Sequence, residues 1–197
     1  MVIPIQQAND IKPRRFLRVL CYGYREGMLA FAQTWPGPMT VSIGEGLRKA
    51  HNAALEALEP IIEQLVLRNP SFQTLVLDID GHPQGKATGP HWSDEHCRFF
   101  FALFDRWSDR HIVILANEDR IANAADSAVD RRPDVPPMVE DACDVILHYD
   151  AAEATDPLKP PMQARCEKHR PVPILAGVTL RWTAEAVLDA SIEGGPS

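Results

Sequence analysis

The feature that most constrains this chain is a set of short, nearly continuous apolar runs. Leu75-Val76-Leu77-Asp78-Ile79-Asp80 is apolar on both faces until its end. A run of that kind does not suit a sheet with one wet face. It suits a parallel strand covered on both sides. Phe16–Tyr22, Met39–Ile43, His111–Ala116 and Asp144–Tyr149 are further strand candidates. Helical patterns lie between them at Gly27–Thr34, Leu47–Leu67 and Ser93–Trp107. In the second, Leu55, Leu58, Ile62, Leu65 and Val66 share a face, and Pro60 predicts a kink or a break. In the third, Ser93 is the expected N-cap, and Phe100, Leu103, Phe104 and Trp107 form the apolar face. Strands joined by helices of this length predict one α/β domain, with a mostly parallel sheet and helices on both faces. Met162–Cys166 and Ile174–Trp182 are expected to add a terminal pair of strands. Residues 117–140 are polar and hold Pro133, Pro136 and Pro137, so they read as a long loop or flap. The expected organisation is an N-terminal extension over 1–14, the domain over 15–190 and a flexible tail over 191–197.

Composition narrows the function classes. A chain of 197 residues, 45% of them hydrophobic, can bury a core without disulfides or metal. It carries 20 Lys+Arg against 27 Asp+Glu, a net charge of −7, which argues against a nucleic-acid coat. Cys21, Cys97, Cys143 and Cys166 stand singly, with no CxxC pair. A reduced, cytoplasmic chain with buried cysteines is the expectation, without a zinc site made from them. No apolar stretch is long enough to span a bilayer, and residues 1–15 lack a secretory pattern. Of the 17 prolines, eight fall between Pro133 and Pro173. They stiffen segments 131–140 and 156–173, where a partner contact is expected.

Three groups of residues carry candidate chemistry. Asp78 and Asp80 close a buried strand, and ligands of parallel sheets sit beyond the carboxyl ends of strands. If the strand persists, the two carboxylates share a face and suit Mg²⁺. The plain alternative is a turn at Asp80-Gly81. A phosphatase with an aspartyl nucleophile would want a hydroxyl after a later strand, where this chain has Leu115-Ala116-Asn117. The second group is His82, His91, Asp94, Glu95 and His96, whose spacing suits loop and helix-cap roles better than a metal site. The third is Arg165, Lys168 and Arg170, either a phosphate or polyanion contact or a solvated basic edge.

Taken in order, these elements resemble the phage-encoded RecA-like P-loop ATPases, within the broader AAA-type group. The resemblance rests on Phe16–Tyr22 before a Gly-containing turn, then Thr34-Trp35-Pro36-Gly37-Pro38, Met39–Ile43 with Glu45-Gly46, and the acidic strand Leu75–Asp80. His111–Asn117, the Arg/Pro-rich stretch Arg131–Pro137 and Cys143–Tyr149 continue it. It implies a RecA-like domain from a phage or mobile element, with DNA recombination or host defence as its setting and self-association an open option. The chain departs from the family at the phosphate loop, GxxxxGK[ST], whose amides wrap phosphates and whose Lys and hydroxyl serve charge and Mg²⁺. Here the sequence is Gly23-Tyr24-Arg25-Glu26-Gly27-Met28-Leu29, with Met28 and Leu29 in the places of Lys and Ser/Thr. Gly23, Arg25 and Gly27 are the remnants of a cofactor loop. The expected function is a non-hydrolysing pseudo-ATPase that binds a protein partner, with no cofactor expected beyond a Mg²⁺ at Asp78 and Asp80. The alternatives are a metal-dependent phosphotransfer or nuclease-like enzyme at those carboxylates, and a nucleic-acid-binding accessory protein.

Overall fold

The structure, a computed structural model, describes residues 16–42, 58–79, 94–122, 129–150 and 163–193. The strands in chain order are β1 (Arg18–Gly23), β2 (Pro38–Ser42), β3 (Thr74–Asp78), β4 (His111–Ala116), β5 (Glu118–Ala122), β6 (Val129–Pro133), β7 (Val145–Tyr149), β8 (Gln163–His169) and β9 (Thr179–Arg181). The helices are α1 (Arg25–Ala32), α2 (Leu58–Arg68), α3 (Asp94–Arg106), α4 (Pro137–Ala142) and α5 (Ala184–Glu193). The main sheet has the order β2-β3-β4-β1-β7-β8-β9. Its first five strands are parallel, and β8 and β9 are added antiparallel. This is the α/β architecture expected from the apolar runs.

Both faces of the parallel strands are covered, which is why those runs do not alternate with polar residues. Val19, Cys21, Val113, Leu115, Val145 and Leu147 pack on one side with Met28 and Phe31 of α1 and Val187 of α5. Leu20, Tyr22, Ile112, Ile114 and Ile146 pack on the other with Ile62 of α2, Phe100 and Phe104 of α3 and Val139 of α4. Connection direction explains the split. The step from β1 to β2 runs toward one edge, carrying α1. The steps from β2 to β3, β3 to β4 and β4 to β7 run the opposite way, carrying α2, α3 and α4. Right-handed crossovers then place the two groups of helices on opposite faces. The chain leaves β1 and β4 toward opposite faces, so a crevice is expected beyond the carboxyl ends of these neighbouring strands.

Several expectations are corrected. Residues 117–140 are not one long loop: β5 and β6 pair as an antiparallel hairpin, from Glu118 opposite Pro133 to Ala122 opposite Val129, and α4 follows. Pro136 and Pro137 stand at the start of α4, where a missing N–H costs no helical bond. The stretch 174–182 is a 3₁₀ turn at Pro173–Leu175 followed by the three-residue β9. Helix α5 covers ten residues, Ala184–Glu193, to which the sequence pattern gives no helix; its last three fall in the stretch 191–197 expected as a flexible tail. The first helix starts at Arg25, two residues before the expected Gly27. Ser93 and residues 43–57, with the first half of the second helical pattern, lie outside the described residues.

Candidate functional site

Arg25 and Asp78 meet at the crevice. Asp78 is the last residue of β3 and is 3% exposed. Arg25 is the first residue of α1 and reaches across the end of β4, which lies between β1 and β3. Its Nη1 donates to Asp78 Oδ1 at 3.2 Å and its Nη2 to Oδ2 at 2.8 Å. This is the two-pronged geometry in which a planar guanidinium matches a carboxylate. Ser42 ends β2 directly beside Asp78 in the parallel register, and its hydroxyl donates to Oδ2 at 3.0 Å. A carboxylate this buried needs such partners, because an unpaired charge in a dry site is costly.

The turn before α1 leaves no room for a phosphate-wrapping loop. Only Tyr24 separates β1 from α1. Gly23 has φ +104°, and a Cβ there would collide with the Tyr149 carbonyl oxygen. The Tyr24 N–H donates to that same oxygen at 2.8 Å, so the turn is folded down onto the end of β7. Gly27 and Met28 are buried within α1, and Met28 belongs to the core under the helix. Met28 is therefore a packing residue.

A second polar group flanks the same strand ends on the opposite face. Tyr22 stacks on His148, with ring centroids 4.6 Å apart, and its hydroxyl donates to Glu167 at 2.6 Å. Burial, then Glu167, pushes the Tyr22 pKa upward, so the hydroxyl stays protonated. Arg131 of the hairpin lies 3.4 Å from Glu118 and 2.9 Å from Asp150. His148 Nε2 is 3.8 Å from Glu118. These contacts tie β5 and β6 to the ends of β1, β7 and β8.

The remaining candidates separate. The Lys168 ammonium donates to the carbonyls of Glu140 and Asp141, each at 2.9 Å, and Arg170 donates to the Asp141 carbonyl. Both cations thus close the carboxyl end of α4, where exposed carbonyls favour positive charge. Arg165 is exposed on β8 and takes no part in that arrangement. Asp94 is exposed at the start of α3, with Glu95 and His96 next in the helix. Asp80, His82 and His91 lie outside the described residues. Among the described residues, no group of three or more His, Cys, Asp or Glu is placed to hold a metal ion. Also among them, no helix is long and apolar enough to cross a membrane. Cys21, Cys143 and Cys166 are buried, and burial raises the pKa of each.

Sequence reasoning singled out Arg25 and Asp78 separately and missed Ser42. The signal for Ser42 was its place at the end of the strand before the acidic one. No protein-family model matches this chain, and no curated protein matches it.

Proposed function

We propose that this chain is a non-hydrolysing RecA-like domain that works by binding a protein partner. The observation that carries this reading is the Arg25–Asp78 pair, which puts the chain's own cation in the crevice. The buried Met28 and the single-residue turn at Tyr24 support it further, since neither offers a phosphate anything to hold. The strand order β2-β3-β4-β1-β7 suits a RecA-like sheet, with β4 between the strand before Arg25 and the strand ending in Asp78. A fold without its chemistry remains a platform.

Met138 exposes its apolar side chain on the segment 131–140, and Ile174, 84% exposed, does so directly after the segment 156–173; a partner is sought there first. The phage or mobile-element setting that the resemblance implies points to DNA-processing or defence machinery. The metal-dependent alternative has less support, because the guanidinium already meets both Asp78 oxygens. The nucleic-acid alternative has less support, because Lys168 and Arg170 direct donors to main-chain carbonyls.

The test is an ATP-hydrolysis assay with Mg²⁺, beside thermal-shift titrations with ATP and ADP. The expected outcome is no turnover and no shift. Turnover that is lost in Asp78→Ala would overturn the reading.

A further inference from the structure

We propose that His148 and Glu118 form a proton-operated latch, which draws the β5–β6 hairpin onto the ends of β1 and β7 as the pH falls below neutral and slackens as it rises. The latch concerns the hairpin rather than the crevice carboxylate, and it stands whether or not the chain binds a nucleotide. Histidine is the side chain whose charge changes between about pH 5 and pH 8. His148 sits where that change meets a carboxylate of another element. Its side chain is 10% exposed, and its Nε2 is a buried atom with no hydrogen-bond partner among the described residues. Glu118 Oε2 lies 3.8 Å away, close enough to feel a charge but too far for a hydrogen bond. A buried polar atom left in this way costs free energy. A proton on the ring makes both of its nitrogens donors. A charge-assisted bond from Nε2 to the carboxylate closes to about 2.7–2.9 Å, so Glu118 and the start of β5 move roughly 1 Å toward β7.

The ring is held in place, which leaves the proton as the variable. Tyr22 stands beside His148 in the parallel register and stacks on it. Gly23, the next residue of β1, has no Cβ to crowd the Cδ2 edge of the ring. The polar groups around it come from every neighbouring element: Tyr22 of β1, Arg131 of β6, Asp150 after β7, and Arg165 and Glu167 of β8. Tyr22 donates to Glu167 and stays protonated, because burial and then Glu167 raise its pKa. Arg165 is the register partner of His148 and is exposed to solvent. Arg131 is shared between the carboxylates of Glu118 and Asp150, at 3.4 and 2.9 Å. An imidazolium at His148 supplies a second cation to this pair of carboxylates. Glu118 keeps its further contacts in both states, and the latch adds one bond to them.

The test is hydrogen exchange of the hairpin amides, read as protection over the intrinsic rate at about pH 5.5 and about pH 7.5. It compares the native chain with Glu118→Gln and His148→Gln. In the native chain, protection across β5 and β6 is expected to be about threefold higher at the lower pH, the scale of one partly screened ion pair. In each variant the two pH values are expected to give the same protection. A native chain without the rise, or variants that keep it, overturns the proposal. If neither variant folds, nuclear magnetic resonance on the native chain decides. The amide shifts of the hairpin and the ring protons of His148 are then expected to titrate with one midpoint, and separate midpoints overturn the proposal. Nucleotide turnover by the native chain would count against the pseudo-ATPase reading and leave these measurements unaffected.

Discussion

Single residues decide what the crevice can hold. Gly23 is the clearest case, since its backbone is left-handed and its Cα faces the Tyr149 carbonyl. Gly23→Ala is expected to destabilise the fold by at least about 2 kcal/mol, through an unfavourable φ and a main-chain clash. A urea titration followed by tryptophan fluorescence measures it, and an unchanged midpoint would show that the turn can relax. Arg25 and Asp78 illustrate the limit of reading the chain directly. The sequence marks both, one as a loop remnant and one as a metal ligand. Their pairing across 53 residues depends on β4 lying between β1 and β3, which neither local pattern reveals.

Elements differ in how openly their residues announce them. The strand His111–Ala116 falls at the expected bounds, and β1, β3 and β7 fall within a residue or two, because burial on both faces makes each an apolar run. The hairpin has no such run. Glu118-Asp119-Arg120 and Asp130-Arg131-Arg132 are polar, so their pairing leaves no periodic trace. Strand β8 hides a bulge opposite Ile146 and Leu147. The extra residue lets Glu167 reach Tyr22 while Lys168 reaches α4.

His169 then returns to the other face and stacks on Trp182, 2% exposed. Its Nδ1 accepts the Val172 N–H at 3.0 Å, which places the neutral ring's proton on Nε2. Burial lowers its pKa below the ordinary 6.5. The unfolded chain therefore binds this proton more readily. The contribution of His169 to stability is complete above about pH 6.5 and is lost as the pH falls through the lowered folded-state value. Thermal melts between pH 8 and pH 5 are expected to fall more steeply for the native chain than for His169→Asn. Parallel curves would rule the residue out as the cause.

At the scale of the whole molecule, the C-terminal part completes the α1 face. The Trp182 indole N–H donates to the Ala164 carbonyl at 3.1 Å, and the Ala184 N–H donates to the Thr34 hydroxyl at 2.8 Å. These bonds tie α5 to both β8 and the end of α1. Trp182→Ala is expected to cost about 3–5 kcal/mol, as for other buried large-to-small changes. Chemical denaturation followed by circular dichroism checks it, and a loss below about 1 kcal/mol would mean that the terminal helix docks without it.

The position of β1 has a further consequence, for the order in which the molecule assembles. It is the earliest of the described strands and sits in the interior of the sheet, yet its neighbours are β4 and β7. Leu17 meets its hydrogen-bond partner His111 across 94 residues. On the ribosome, β1 must wait for most of the domain to be synthesised before either side is paired. Until then its apolar residues depend on early collapse, or on a chaperone, to stay out of water.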